Sequence, residues 1–156
     1  MRQGMEAWLA TGAVVAKPHY LALLADLDGR LGRSAEGLQK LEQGLAITEE
    51  SGERFYEAEL HRLKGELALH QHDERMRCRT VDAEAESSFQ QALQIARQQS
   101  ARAWELRAAT SLARLWRKQA RIEEARSILA PIYEWFTEGL ETRDLGDARA
   151  LLEAAN

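Results

Sequence analysis

The chain has one cysteine, Cys78, and two prolines, Pro18 and Pro131, among its 156 residues. A lone cysteine excludes an internal disulfide and fits a reducing compartment. The scarcity of proline leaves long stretches with no residue that breaks a helix. Basic charge is not in excess: the formal net charge is −4, which argues against a nucleic-acid partner, because phosphate recognition needs a positive surface. Long apolar runs are also missing. The longest, Leu21 to Ala25, falls far short of the roughly 20 residues of a membrane span. Residues 1–4 lead into no apolar core of the signal-peptide kind. A cytoplasmic chain with no membrane partner is the expectation. No segment alternates apolar and polar residues for long enough to make a strand.

What is abundant points one way. Ala, Leu, Glu, Gln and Arg dominate, all strong helix formers, so the expected class is all-α. The segment 83–96 places Ala85, Phe89 and Ala92 on one helical face, a large knob between two small close-approach points. The trio recurs as Gly37, Leu41, Gly44 and as Ala125, Leu129, Ile132. Their partner helices carry Ala25, Gly65 and Ala113. First helices therefore repeat at 40 and 48 residues, second helices at 48 and 40. One 40-residue period with eight residues inserted after Gly65, in the polar stretch 70–80, accounts for every spacing. Gly65 and Ala85 should face each other across the middle hairpin.

Helix stops follow the same arithmetic. Gly12, Gly52 and Ser100 each stand where a left-handed residue ends a helix. Helices are expected at 2–11, from Pro18 to about Arg30, and at 34–51, 53–69, 81–99, 101–119 and 122–136, with a last one from Asp144 to about Ala154. Gly32 should close the first full helix, Ser34 cap the next, and Pro131 kink the sixth full-length pattern. Residues 1–12 align with 41–52, so they have the pattern of the second half of a hairpin. Short loops make sequential neighbours antiparallel.

Ala109-x-x-Leu112-Ala113-x-x-Trp116, followed by Ala125-x-x-x-Leu129, resembles the tetratricopeptide repeat, whose signature sets an aromatic, Leu-Gly, a second aromatic, Ala and Phe at related spacings. Asp28 and Ala68 stand where the second aromatic is usual, and the period exceeds the usual ~34 residues. The resemblance implies a right-handed α-α superhelix of stacked antiparallel hairpins. The chain would be a single domain: a truncated upstream repeat at 1–12, repeats at 17–52, 53–100 (insert 70–80) and 101–137, and a C-terminal capping helix at 143–155. The tail from Leu129 to Leu140, with Asp144-Leu145 and the segment 148–152, is similar to the C-terminal end of large bacterial multidomain signalling proteins. Tyr56 to Glu66 is similar to the same region. This implies the last part of a larger regulator, with any cyclase or ATPase activity in other domains.

Chemistry of its own is not evident. Gly12 to Lys17 lacks the glycine and the Ser/Thr that a phosphate loop places beside its lysine, and Pro18 removes a donor. His70, His72, Asp73 and Cys78 are the one set of metal-ligand types, better read as a solvated insert than as a zinc site. His61 suits packing. Trp104, Trp116, Tyr133 and Trp135 lie on apolar stripes and are expected in the core. No catalytic residue, cofactor or metal is expected.

Stacked hairpins leave a concave face on their first helices. In the third repeat that face carries Arg107, Thr110, Arg114 and Lys118, with Arg117 beside it. The second repeat contributes Glu59, Arg62, Glu66 and Leu69, and the first His19, Ala22, Asp26 and Arg30. A non-catalytic interaction module is expected, docking a protein, an acidic peptide or another domain on this face. The alternative is a regulatory domain that senses a ligand. Met5, Trp8 and Leu9 form an apolar N-terminal edge, expected to self-associate as a homodimer.

Overall fold

The structure, a computed structural model, describes residues 16–71 and 79–154. The described residues form seven helices and no strand: α1 (Lys17–Arg30), α2 (Ser34–Ser51), α3 (Glu57–Gln71), α4 (Arg79–Gln98), α5 (Arg102–Lys118), α6 (Ile122–Glu134) and α7 (Arg143–Glu153). The protein is all-α over these residues. None of these helices is long and apolar enough to cross a membrane. Met5, Trp8, Leu9 and Gly12 lie outside the described residues, as do His72, Asp73 and Cys78.

Local chemistry fixes the helix ends. Pro18 sits in the first turn of α1, where its missing N–H is no loss. Gly32 and Gly52 end α1 and α2 in the left-handed region, and Ser100 and Ala120 do the same after α4 and α5. Several helix ends differ from expectation: α3 runs to Gln71 and α4 starts at Arg79, both inside the stretch 70–80, and α6 stops at Glu134. Ser34 is not a cap but the buried first residue of α2, and no side chain caps that helix. The buried Asp28 organises this turn instead, pairing with Arg33 at 2.8 Å and Lys40 at 2.6 Å. The third helix starts at Glu57 rather than 53. The Glu53 N–H donates to the Ser51 hydroxyl, and its carboxylate accepts from the Ala16 N–H at 3.0 Å, so residues 53–56 serve as a tie between helix ends.

Each helix packs on the next, and the first helices of successive pairs also touch: α1 on α3, α3 on α5, α5 on α7. The neighbours around α2 are antiparallel. A Cβ on Gly37 would meet Leu67 and the Ala25 carbonyl, whereas one on Gly44 would meet Leu60 and Leu21. The first helices run parallel to one another, since Glu59 of α3 reaches Arg107 of α5 and Glu66 reaches Arg114.

All three trios, each a small residue, a large one and then an apolar or small one, are buried. Leu41 joins Ala22, Ala25, Leu60, Leu63 and Leu67 in one core cluster, and Phe89 and Leu129 belong to a larger one spanning α4 to α7. Gly65 lies against the Phe89 ring, whose Cε1 would be 2.5 Å from an added Cβ. The atoms nearest Gly65 thus belong to Phe89, which shares its buried face of α4 with Ala85.

The position held by Asp28, Ala68 and Trp116 in successive first helices has three solutions. Trp116 is buried, donates from Nε1 to Glu86 at 2.8 Å and lies under the Arg121 guanidinium. Ala68 instead borders an open groove of about 610 Å³ with Leu38, Val81, Ser87 and Ser88. Filling it with Ala68→Phe should raise stability by about 1 kcal/mol, since only part of the ring leaves water. Thermal denaturation checks this; a lower melting temperature would mean that the groove cannot admit the ring.

The aromatic residues divide. Trp116 is core, Tyr133 is half-buried against it, and Trp104 is half-buried beside Tyr56. Trp135 is not core. It follows Glu134 at the C-cap of α6, beyond Ile132 (the last buried residue of that face), and lies exposed under Arg102.

Candidate partner-binding groove

The parallel first helices and α7 enclose a groove of about 420 Å³. Asp26, Gly29 and Arg30 come from α1, Arg62, Leu63, Glu66, Leu67 and His70 from α3. On the other side stand Arg107, Thr110, Ser111 and Arg114 of α5, with Arg143, Asp144 and Asp147 of α7. Helical periodicity puts Arg107, Thr110 and Arg114 on one stripe, and α7 continues the row of first helices.

The groove floor is an ion-pair network. Arg62 forks onto both Glu59 oxygens at 2.8 and 2.9 Å. It also reaches Glu66 and the Ser111 hydroxyl, both at 3.3 Å. Ser111 donates to the same Glu66 oxygen at 2.6 Å. Arg107 bridges Glu59 at 2.9 Å and lies 3.8 Å from Asp144. Arg114 makes only a 3.5 Å approach to Glu66 and is more exposed than Arg62 or Arg107. Burial by itself lowers the Arg62 pKa. The Glu59 hydrogen bond, with the charges of Glu59, Glu66 and Asp26, outweighs this, so the guanidinium sits above its usual value.

Of the residues expected on the concave face, Arg62, Arg107, Thr110 and Arg114 meet in this groove. Thr110 is buried and donates to the Leu106 carbonyl, so its hydroxyl serves its own helix. Arg117 goes elsewhere: its guanidinium donates to the carbonyls of Leu151 and Ala154 at 3.0 and 3.1 Å and holds the C-terminal end of α7. Lys118 is exposed at the end of α5, outside the groove lining. In the first unit Ala22 is buried and His19 packs on Tyr56 at 4.2 Å, which leaves Asp26 and Arg30 at the groove. Leu69 packs against the larger core.

The charges around the groove are close to balanced. The five arginines lining the groove meet four carboxylates there, with buried Glu59 beneath as a fifth. The stripe on α5 is basic in sequence but neutralised in space. Ser111 and the α7 side chains Arg143, Asp144 and Asp147 were not among the expected residues. In the sequence, Ser111 adjoins Thr110 and Asp144 opens the expected last helix, but no spacing sets them at the groove.

Among the described residues, no group of three or more His, Cys, Asp or Glu side chains is placed to hold a metal ion. His61 is half-buried and shifted down to about 4, first by desolvation and then by the Lys64 charge. Its folded pKa lies below the unfolded value, so the unfolded chain binds the extra proton between the two. Stability should fall as pH drops from about 6.5 to about 4, by roughly 1–2 kcal/mol once solvent screening of a partly exposed ring is allowed for. His61→Gln should flatten that part of the profile in urea titrations at several pH values; an unchanged profile would assign the loss to other groups.

Comparison of the chain with family models, curated proteins and solved structures gives no match.

Proposed function

We propose that this chain is a tetratricopeptide-like, non-catalytic interaction module, and that it docks a peptide or a neighbouring domain in the groove between its first helices. The carrying observation is the row of parallel first helices with Arg114, Arg143, Asp147 and Asp26 around a groove of about 420 Å³. Repeat arrays of this kind bind along such surfaces. The charge balance favours a partner carrying both signs over a uniformly acidic one, since like charges held face to face oppose docking. The tail's resemblance to bacterial multidomain signalling regulators supports a partner from the same class of assembly.

The test is selection of peptides from a mixed-charge library on the immobilised protein and on Arg114→Glu. Arg114 is more exposed than Arg62 or Arg107 and makes a single 3.5 Å approach to Glu66, so its reversal should leave the helical content intact. Peptides retained by the original chain should bind the variant roughly tenfold or more weakly, the loss of a charge-assisted contact. No selected peptide, or equal binding by both, would remove the groove from consideration.

A further inference from the structure

Trp116 and the open groove at Ala68 stand at one repeat position, and the chain itself shows what such a position takes. In the third repeat the indole is buried and donates from Nε1 to Glu86. The Arg121 guanidinium lies 4.5 Å from the ring centroid. Forty-eight residues before Glu86 and Trp116, and forty before Arg121, stand Leu38, Ala68 and Val81. All three line the groove of about 610 Å³ between α2, α3 and α4. Apolar walls thus replace the polar partners of the indole, and a methyl group replaces the ring. The charges sit around these walls. Exposed Glu42 and Glu84 and half-buried Lys64 border the groove, and none of the three forms an ion pair among the described residues. Two carboxylates against one ammonium favour an N–H donor or a cation over an anion.

We propose that this groove docks the tryptophan side chain of a partner protein, with basic residues beside it. The ring lies against Leu38, Ala68 and Val81. Glu42 or Glu84 receives its N–H as Glu86 receives that of Trp116, and Lys64 supplies the cation that Arg121 supplies in the third repeat. Tryptophan is a frequent interface anchor, since one side chain fills a pocket and still carries a donor. A second copy of this chain is a poorer occupant. Its exposed Trp135 follows Glu134, with Glu138 close behind, and those carboxylates would meet Glu42 and Glu84. The groove shares no lining residue with the one between the first helices, so a failed peptide selection there leaves this inference standing.

The probe is a capped pentapeptide with one tryptophan between two lysines, titrated into the full chain and followed by methyl NMR. Signals of Leu38, Ala68 and Val81 should shift and saturate together. Exchanging the peptide's tryptophan for alanine should abolish the shifts. Exchange for phenylalanine, which has no N–H, should weaken binding several-fold. Ala68→Phe puts the chain's own ring in the groove and should bind the peptide roughly tenfold or more weakly. Glu42→Gln with Glu84→Gln leaves the walls unchanged and should weaken binding several-fold through the lost charge-assisted contact. Absence of shifts at these methyls would overturn the proposal, as would equal binding by the original chain and both variants. N-acetyltryptophanamide binding as tightly as the peptide would overturn it in favour of small aromatic ligands. Self-association of the original chain that Trp135→Ala abolishes would overturn it in favour of a second copy.

Discussion

Phe89→Ala is expected to cost about 3–5 kcal/mol, the range for truncating a large aromatic in a core that cannot collapse around the gap. Phe89 is wholly buried, flanked on its own helix by the equally buried Ala85 and Ala92, and its ring lies on Gly65 across the hairpin. Against a typical total of about 5–15 kcal/mol, that loss should move the urea midpoint far down. A loss below about 1 kcal/mol would mean that the ring is not the central knob. Gly65 gives the independent half of the argument. An added Cβ would stand 2.5 to 2.9 Å from three ring atoms, and a packed ring cannot swing aside as a flexible chain end can. Gly65→Ala should therefore cost about 1–3 kcal/mol. In the Phe89→Ala background the clash has no second party. The double variant should lose clearly less than the two single losses added, and strict additivity would separate the two residues.

This contact also shows how far the sequence reaches. The buried trios and the left-handed stops at Gly52 and Ser100 follow from helical periodicity and backbone sterics, both local properties, and the structure has them at those positions. That the Phe89 ring supplies the atoms nearest Gly65 is not in the spacing. Spacing tells which face a residue occupies, but not how far a neighbouring helix slides along that face. The start of α3 was misjudged for a similar reason. Glu53 leaves the helix to accept the Ala16 N–H, a contact across 37 residues that no local pattern records.

The groove was legible in part. That Arg62, Arg107, Thr110 and Arg114 share one surface follows from their positions on parallel helices. That the surface is neutral does not. It depends on the axial register of α3 against α5, which brings Glu59 level with Arg107 and Glu66 level with Ser111 and Arg114. Arg117 lies three residues beyond Arg114, but the α5 surface turns there towards α7, and its guanidinium finds the free carbonyls of a helix end. A stripe drawn on one helix cannot foresee which neighbour consumes its charges.

The second large effect comes from the same register. Glu59 is buried, and its two oxygens hold Arg62 and Arg107, so it binds α3 to α5 as well as bracing its own helix. Removing one member of a buried pair leaves an uncompensated charge, at a cost of about 3–5 kcal/mol. Glu59→Leu should fall in that range, because Arg62 keeps only its longer contacts to Glu66 and Ser111. Replacing both partners, Glu59→Leu with Arg62→Met, should recover much of the loss, since apolar groups of similar size need no desolvation of charge. Salt gives a second readout: the 43% exposed Arg114 side chain should be screened, while the Glu59 cost should persist from low to high ionic strength. If Glu59→Leu costs under about 1 kcal/mol, or if salt abolishes the cost, the pair behaves as an ordinary surface bridge. The alignment of the first helices would then rest on their apolar contacts alone.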